Sequence, residues 1–222
     1  MKKKNAEEIV RSHGWLSRQP EPFRVDLLKP CTLRHFEAGE TLYGVGDDAT
    51  GVYGLVEGAI ELTLANGHVG TIRTAGYWIG ETAAFRGAPR LVSLEAIVPS
   101  YALYLPLVEF ERLITNAEYC RYFALLIIEH VEEAVSIIAD LMASDPLARV
   151  AGRLVTLGRA QSSGAKTLPL TQAELASMCG LARPTVNKVI KVLTKSGVLE
   201  SHYGRLTIVD VPSLEKLARQ EP

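Results

Sequence analysis

The chain has 222 residues, 47% of them hydrophobic and 22% charged, and a formal net charge of −1. That composition excludes a disordered chain and leaves room for two modest domains. Its longest apolar run, Tyr122 to Ile128, is far too short to cross a bilayer. Charge is spread unevenly: residues 1–20 sum to +3, residues 21–146 to −10 and residues 147–222 to +6. Only the C-terminal third therefore carries the footprint of a surface that meets phosphates.

Taken in chain order, Lys2, Lys3 and Lys4 come first, but Ile9–Val10 and Trp15–Leu16 are broken up by charges, so no signal-peptide core forms and a cytoplasmic protein is expected. From about Arg24 to Leu105, short runs alternate with Gly-, Asn- and Asp-rich turns. They include Val52–Val56, Ala59–Leu64, Gly70–Arg73, Val92–Val98 and Tyr101–Leu105. Short strands at such spacing predict an antiparallel barrel or sandwich, with a two-residue hairpin at Asn66–Gly67.

The segment Trp78–Leu91 interrupts these strands with small residues able to form one helical turn. Gly80 to Ala84 would offer backbone amides at a helix N-terminus, where an anion can bind, and Arg90 returns a guanidinium to the same spot. Glu81 beside an anion site makes sense if its carboxylate accepts from a ribose hydroxyl. A plain loop ion pair between Glu81 and Arg90 explains the same residues.

A long helix is expected from about Ala117 to Ala143. Ala124, Ile128, Val131, Val135, Ile138 and Met142 recur at intervals of four and three, the seam of a two-stranded coiled coil. Ile127, Ala134 and Leu141 widen the stripe so that one side can cover the strands. Asp145–Pro146 then breaks the helix and forms a hinge.

Leu170 to Leu193 reads as two short helices about a turn at Gly180. Thr171 and Glu174 form a capping box, Leu175 and Met178 give the first helix a buried face, and Gly180 can take a left-handed turn. In the second helix Val186, Val189, Ile190 and Leu193 face inward. Arg183, Pro184, Asn187, Lys188 and Lys191 face outward with no acid among them. A helix-turn-helix with this face fits the major groove, where Arg pairs with guanine, Asn with adenine, and Lys with guanine or phosphate. Lys195–Ser196–Gly197 stops the helix. Val198–Ser201 and Arg205–Val209 then form a wing about His202–Gly204, from which Arg205 and His202 can reach phosphates. The expected DNA-binding set is Thr171, Gln172, Arg183, Pro184, Thr185, Asn187, Lys188 and Lys191.

Cys31, Cys120 and Cys179 read as buried free thiols, and His13, His35, His68, His130 and His202 form no ligand pattern, so no metal site is expected. No nucleophile–base constellation supports an enzyme. A sensory module acting through protein contacts is the rival to a DNA-binding regulator.

Order and spacing from about residue 22 onward resemble the Crp/Fnr family of bacterial regulators. The likeness rests on Phe36–Leu42, Gly51–Gly58, Gly80–Glu81 with Pro89–Arg90, and the helix-turn-helix. The resemblance implies an α+β chain with an N-terminal antiparallel β-roll of the cyclic-nucleotide-binding type, a long dimerisation helix and a C-terminal winged helix-turn-helix. The expected boundaries are a basic tail or helix at 1–21, the roll at 22–115, the long helix at 116–144 and the DNA-binding domain at 145–222. It further implies a homodimer joined through Ile128, Val131, Val135, Ile138 and Met142, with duplex DNA and RNA polymerase as partners. No cofactor is required. The ligand set would be Gly80, Glu81, Ala83, Arg90 and Leu91, with Glu81 on a ribose hydroxyl and Arg90 on a cyclic phosphate. Leu91 departs from the family's usual small residue, and Ala134–Val135 replaces a Thr–Ser pair that meets the base. Cyclic AMP, another cyclic nucleotide, and a scaffold around a different effector all remain open. Ala182 replaces a helix-capping Ser, and Pro184 replaces a frequent Glu, removing an acceptor for cytosine.

Overall fold

A computed structural model describes residues 1–159 and 167–220. The chain divides into two compact units, Met1–Gly67 with Arg73–His130, and His68–Ile72 with Val131–Pro222. The first unit opens with three helices, α1 (Lys3–Ser12), α2 (Gly14–Ser17) and α3 (Glu21–Leu28). The third lies where short strands were expected to begin, near Arg24. Phe23 and Leu27, four apart, share one buried helical face, and strands begin only at β1 (Thr32–Phe36).

The roll continues through β2 (Thr41–Tyr43), β3 (Gly51–Glu57), β4 (Ile60–Leu64), β5 (Val69–Arg73), β6 (Trp78–Ile79), the short helix α4 (Glu81–Arg86), β7 (Val92–Ala96) and β8 (Ser100–Pro106). One antiparallel sheet runs β1-β8-β3-β6, and β2, β7 and β4 are neighbours in the other. Most of β5 falls in the second unit. Between β4 and β5 the chain needs four residues, Ala65 to His68, where a two-residue hairpin was expected. Gly67 still turns there, its amide donating to the Leu64 carbonyl at 2.9 Å.

Two apolar clusters fill this unit. Leu42, Tyr43, Tyr53, Leu55, Leu94 and Tyr104 lie in one. Trp15, Phe23, Trp78, Phe110 and Phe123 form the heart of the other, with rings meeting mostly edge to face. It is closed by α5 (Leu107–Ile114) and the start of α6 (Ala117–Met142). On α6 Phe123 and Leu126 are buried against the roll, with Tyr119 and Tyr122 packed beside them. Of the residues expected in that role Ile127 is half-buried, and Ala134 and Leu141 are exposed. Ile128, Val131, Val135, Ile138 and Met142 are also exposed, by 49% to 79%, so the expected seam is an open apolar stripe on the single chain.

In the second unit α7 (Pro146–Arg159) packs against α10 (Val211–Arg219), α8 (Gln172–Cys179) and α9 (Arg183–Lys195), with a small sheet ordered β10 (Leu199–His202), β11 (Arg205–Ile208), β9 (Thr167–Leu168). The break after α6 is tied down locally. Asp145 accepts from the Ala148 amide at 3.1 Å, capping α7, and Arg149 donates twice to the Ala143 carbonyl, at 3.0 and 2.7 Å.

Among the described residues no helix is long and apolar enough to cross a membrane. Burial pushes the Cys31 and Cys179 thiols up to about 12, which makes them inert apolar filling. Cys120, expected buried, is only partly so.

Candidate functional site

The helix-turn-helix is specified residue by residue. Thr171 Oγ1 accepts from the Glu174 amide at 3.2 Å while Glu174 Oε2 accepts from the Thr171 amide at 2.5 Å, completing the capping box. Gly180 takes φ +58°, a conformation that carries a penalty for any residue with a Cβ. Ala182 caps α9 without a side-chain bond, and Val186, Val189, Ile190 and Leu193 are buried.

The opposite face of α9 presents Arg183, Pro184, Lys188, Lys191 and Lys195 to solvent, with Thr185 and Asn187 half-buried at its flanks. Arg183, Lys188, Lys191 and Lys195 have no ion-pair partner among the described residues. Some cations elsewhere in this unit are paired: Arg159 and Arg219 both bind Glu215, at 2.6 and 3.4 Å. The lining of a groove beside α9 includes Gln172, Asn187, Lys191, Thr194, Lys195 and Ser201. It joins Gln172 of α8 to Asn187 and Lys191, and adds Lys195 and Ser201, which the sequence pattern did not single out. Thr171 is exposed at the same end of α8. At the wing, His202 pairs with Arg205 across a two-residue turn, and Tyr203 at its tip is fully exposed.

The cassette of the roll is built differently. Gly80, at φ +109°, precedes α4, and a Cβ there would lie 2.7 Å from Arg90 Nη1. Arg90 is 3% exposed. Its Nη1 donates to the Gly80 carbonyl at 2.9 Å and its Nη2 to the Gly51 carbonyl at 2.6 Å. The guanidinium stacks on Tyr43, 4.2 Å from the ring centre. Burial raises the Tyr43 phenol well above its ordinary range, against the opposing pull of Arg90.

Glu81 is 1% exposed and does not pair with Arg90. Its Oε1 accepts from the Thr82 hydroxyl at 3.0 Å and lies 3.0 Å from His130 Nδ1, while Oε2 and His130 Nε2 are both buried without a hydrogen-bond partner. His130 packs on Tyr77 with ring centres 5.1 Å apart. The sequence reading missed His130. The available signal was its spacing, since it continues the buried face of Phe123 and Leu126 at three- and four-residue steps. Ala83 is buried and Leu91 is 60% exposed. No group of three or more candidate metal-binding side chains occurs among the described residues.

Comparison with known proteins follows this division. Residues 33–117 match the family model for a cyclic nucleotide-binding domain, and residues 148–217 the model for a Crp-like helix-turn-helix domain. The chain is 25% identical over 220 residues to the cAMP-activated global transcriptional regulator CRP of Haemophilus influenzae, covering 91% of this chain and 95% of that one. It is 29% identical over 195 residues to the transcriptional regulator SdrP of Thermus thermophilus, covering 82% and 92%. The fold is that of FixK2 from Bradyrhizobium japonicum, with a TM-score of 0.74 at 20% identity over 84% of this chain and 96% of that one.

Proposed function

Because this chain belongs to the Crp/Fnr family of transcriptional regulators, we propose that it acts in the cytoplasm as a homodimer that reads a specific duplex sequence under control of a small effector in the roll. The observation that carries the DNA-reading part is the outer face of α9, four exposed cations without acids or ion-pair partners among the described residues. Arg183, at the first position of the helix, reads a base. Asn187 favours adenine, and Lys188 and Lys191 meet phosphate. Thr171, Gln172 and Thr185 add polar contacts. The apolar stripe Ile128, Val131, Val135, Ile138 and Met142 supplies the dimer seam, which pairs two recognition helices for two half-sites. RNA polymerase is the further partner. The reading assigns no catalytic step, in keeping with relatives that are themselves transcriptional regulators.

Gly80, Glu81, Ala83, Arg90 and Leu91 form the effector site in this reading. Glu81 Oε2, buried without a partner, suits a ribose hydroxyl. A cyclic phosphate would have to draw Arg90 away from the Gly80 and Gly51 carbonyls that now hold it. The effector then acts through its differential affinity for the DNA-competent state. A second reading, a regulator whose roll binds no cyclic nucleotide, is favoured by the same engagement of Arg90.

Selection from randomised duplexes, with and without cyclic AMP or cyclic GMP, tests both readings. A selected sequence that tightens with one nucleotide supports the effector reading. Selection indifferent to both supports the second, and no selection refutes DNA reading. For the dimer, Val131→Asp is expected to sediment as a monomer, and a variant still dimeric refutes the seam.

A further inference from the structure

At 3.6 residues per turn, Pro184, Lys188, Lys191 and Lys195 fall at steps of four, three and four and form one ridge along α9. This ridge lies opposite the buried row Val186, Val189, Ile190 and Leu193, so it is the line that projects farthest from the body of the unit. Three of its four members are lysines. The fourth, at the N-terminal end, is the exposed ring of Pro184, a group with no donor or acceptor on its side chain and no backbone N–H.

The N-terminal turn of a recognition helix is the part that reaches base edges. In the major groove every base-pair edge offers hydrogen-bonding atoms, and among the four bases only thymine adds an apolar group, its C5 methyl. A polar edge facing Pro184 would be desolvated with nothing to bond, whereas a thymine methyl would find an apolar surface. Arg183 precedes Pro184 directly and can still take the two acceptors of a neighbouring guanine.

We infer that Pro184 determines specificity by packing on the C5 methyl of a thymine in each half-site, next to the base pair read by Arg183. The inference rests on the reading of this unit as a DNA reader, and it names the chemical group that reader selects. It requires nothing of the effector.

The test starts from the duplex that the wild-type chain selects from a randomised pool. Each half-site thymine is replaced in turn by deoxyuridine, which removes the methyl and keeps every hydrogen-bonding atom. One position is expected at which the swap weakens wild-type binding about fourfold in one half-site and about fifteenfold in both, the value of one buried methyl at each. Pro184→Ser, whose hydroxyl makes the tip polar, should bind thymine and uracil duplexes alike, and Pro184→Ala, which keeps an apolar methyl, serves as the folded control with an intermediate preference. A cytosine placed at that position should bind more tightly once it carries a 5-methyl group. Uracil duplexes that bind as tightly as their parents at every position would overturn the inference. So would a methyl preference that survives unchanged in Pro184→Ser. If no sequence is selected at all, the DNA reading falls and the inference with it, a result recognised by the missing selection rather than by a missing methyl effect.

Discussion

On α9 the cations Arg183, Lys188, Lys191 and Lys195 stand in solvent without ion-pair partners among the described residues, while in the cassette Arg90 is 3% exposed and bonded to two backbone carbonyls, and Glu81 is buried against His130. The exposed set is available to a ligand without breaking anything, since exposed cations exchange hydration and counterions for phosphates. The buried set already holds the protein together, so a ligand there competes with internal bonds. Charge on α9 is thus free for binding. In the cassette it contributes to stability first and to binding only by rearrangement.

The comparison breaks first at Arg183. Arg183→Ala should lower affinity for the selected duplex about a hundredfold, the loss of one bidentate base contact in each of two half-sites. Its urea midpoint should stay unchanged, because the side chain has no internal partner to lose. Equal selectivity in the variant would assign base readout elsewhere.

Arg90 should behave the other way round. Arg90→Met fills much the same volume but takes the donor from the buried Gly51 carbonyl and one of two donors from Gly80, whose oxygen still accepts from the Ala84 amide, which should destabilise the first unit by about 2 kcal/mol in urea unfolding. An unchanged midpoint would mean that the guanidinium is not a structural element and stands ready for a phosphate.

The smallest effect is expected at His130. His130→Ala removes one of the two hydrogen-bond partners of Glu81 and should cost about 1 kcal/mol. His130→Asn, whose amide nitrogen can take the place of Nδ1, should recover most of it. Equal losses in both variants would show that ring packing on Tyr77, not the bond to Glu81, is what His130 contributes.

How far the sequence reveals these regions depends on how local their physics is. The helix-turn-helix could be read almost completely, because a capping box, a glycine turn and a 3.6-residue apolar period are all set by neighbours within about four positions. The cassette could be located but not understood. Arg90 meets carbonyls at Gly80 and Gly51, and Glu81 meets a histidine 49 residues away, pairings that no spacing rule specifies. The expected alternative of a Glu81–Arg90 ion pair failed for that reason. Toward the N-terminus, the residues from about Arg24 to Leu28 read as the start of the strands although Phe23 and Leu27 repeat at a helical step. The helix is only eight residues, too short for the period to stand out. Helix α10 was missed too, although Asp210 caps it by accepting from the Ser213 amide at 3.1 Å, a signal visible three residues apart.

The measurement that bears most directly on the central claim is the salt dependence of binding between the wild-type chain and its selected duplex. If Arg183, Lys188, Lys191 and Lys195 meet DNA from two paired helices, the logarithm of the affinity should fall steeply and linearly with the logarithm of salt concentration. The slope should flatten when Lys188 is removed. Weak binding with a flat salt dependence would contradict the account and leave the exposed face of α9 as a surface for a protein partner.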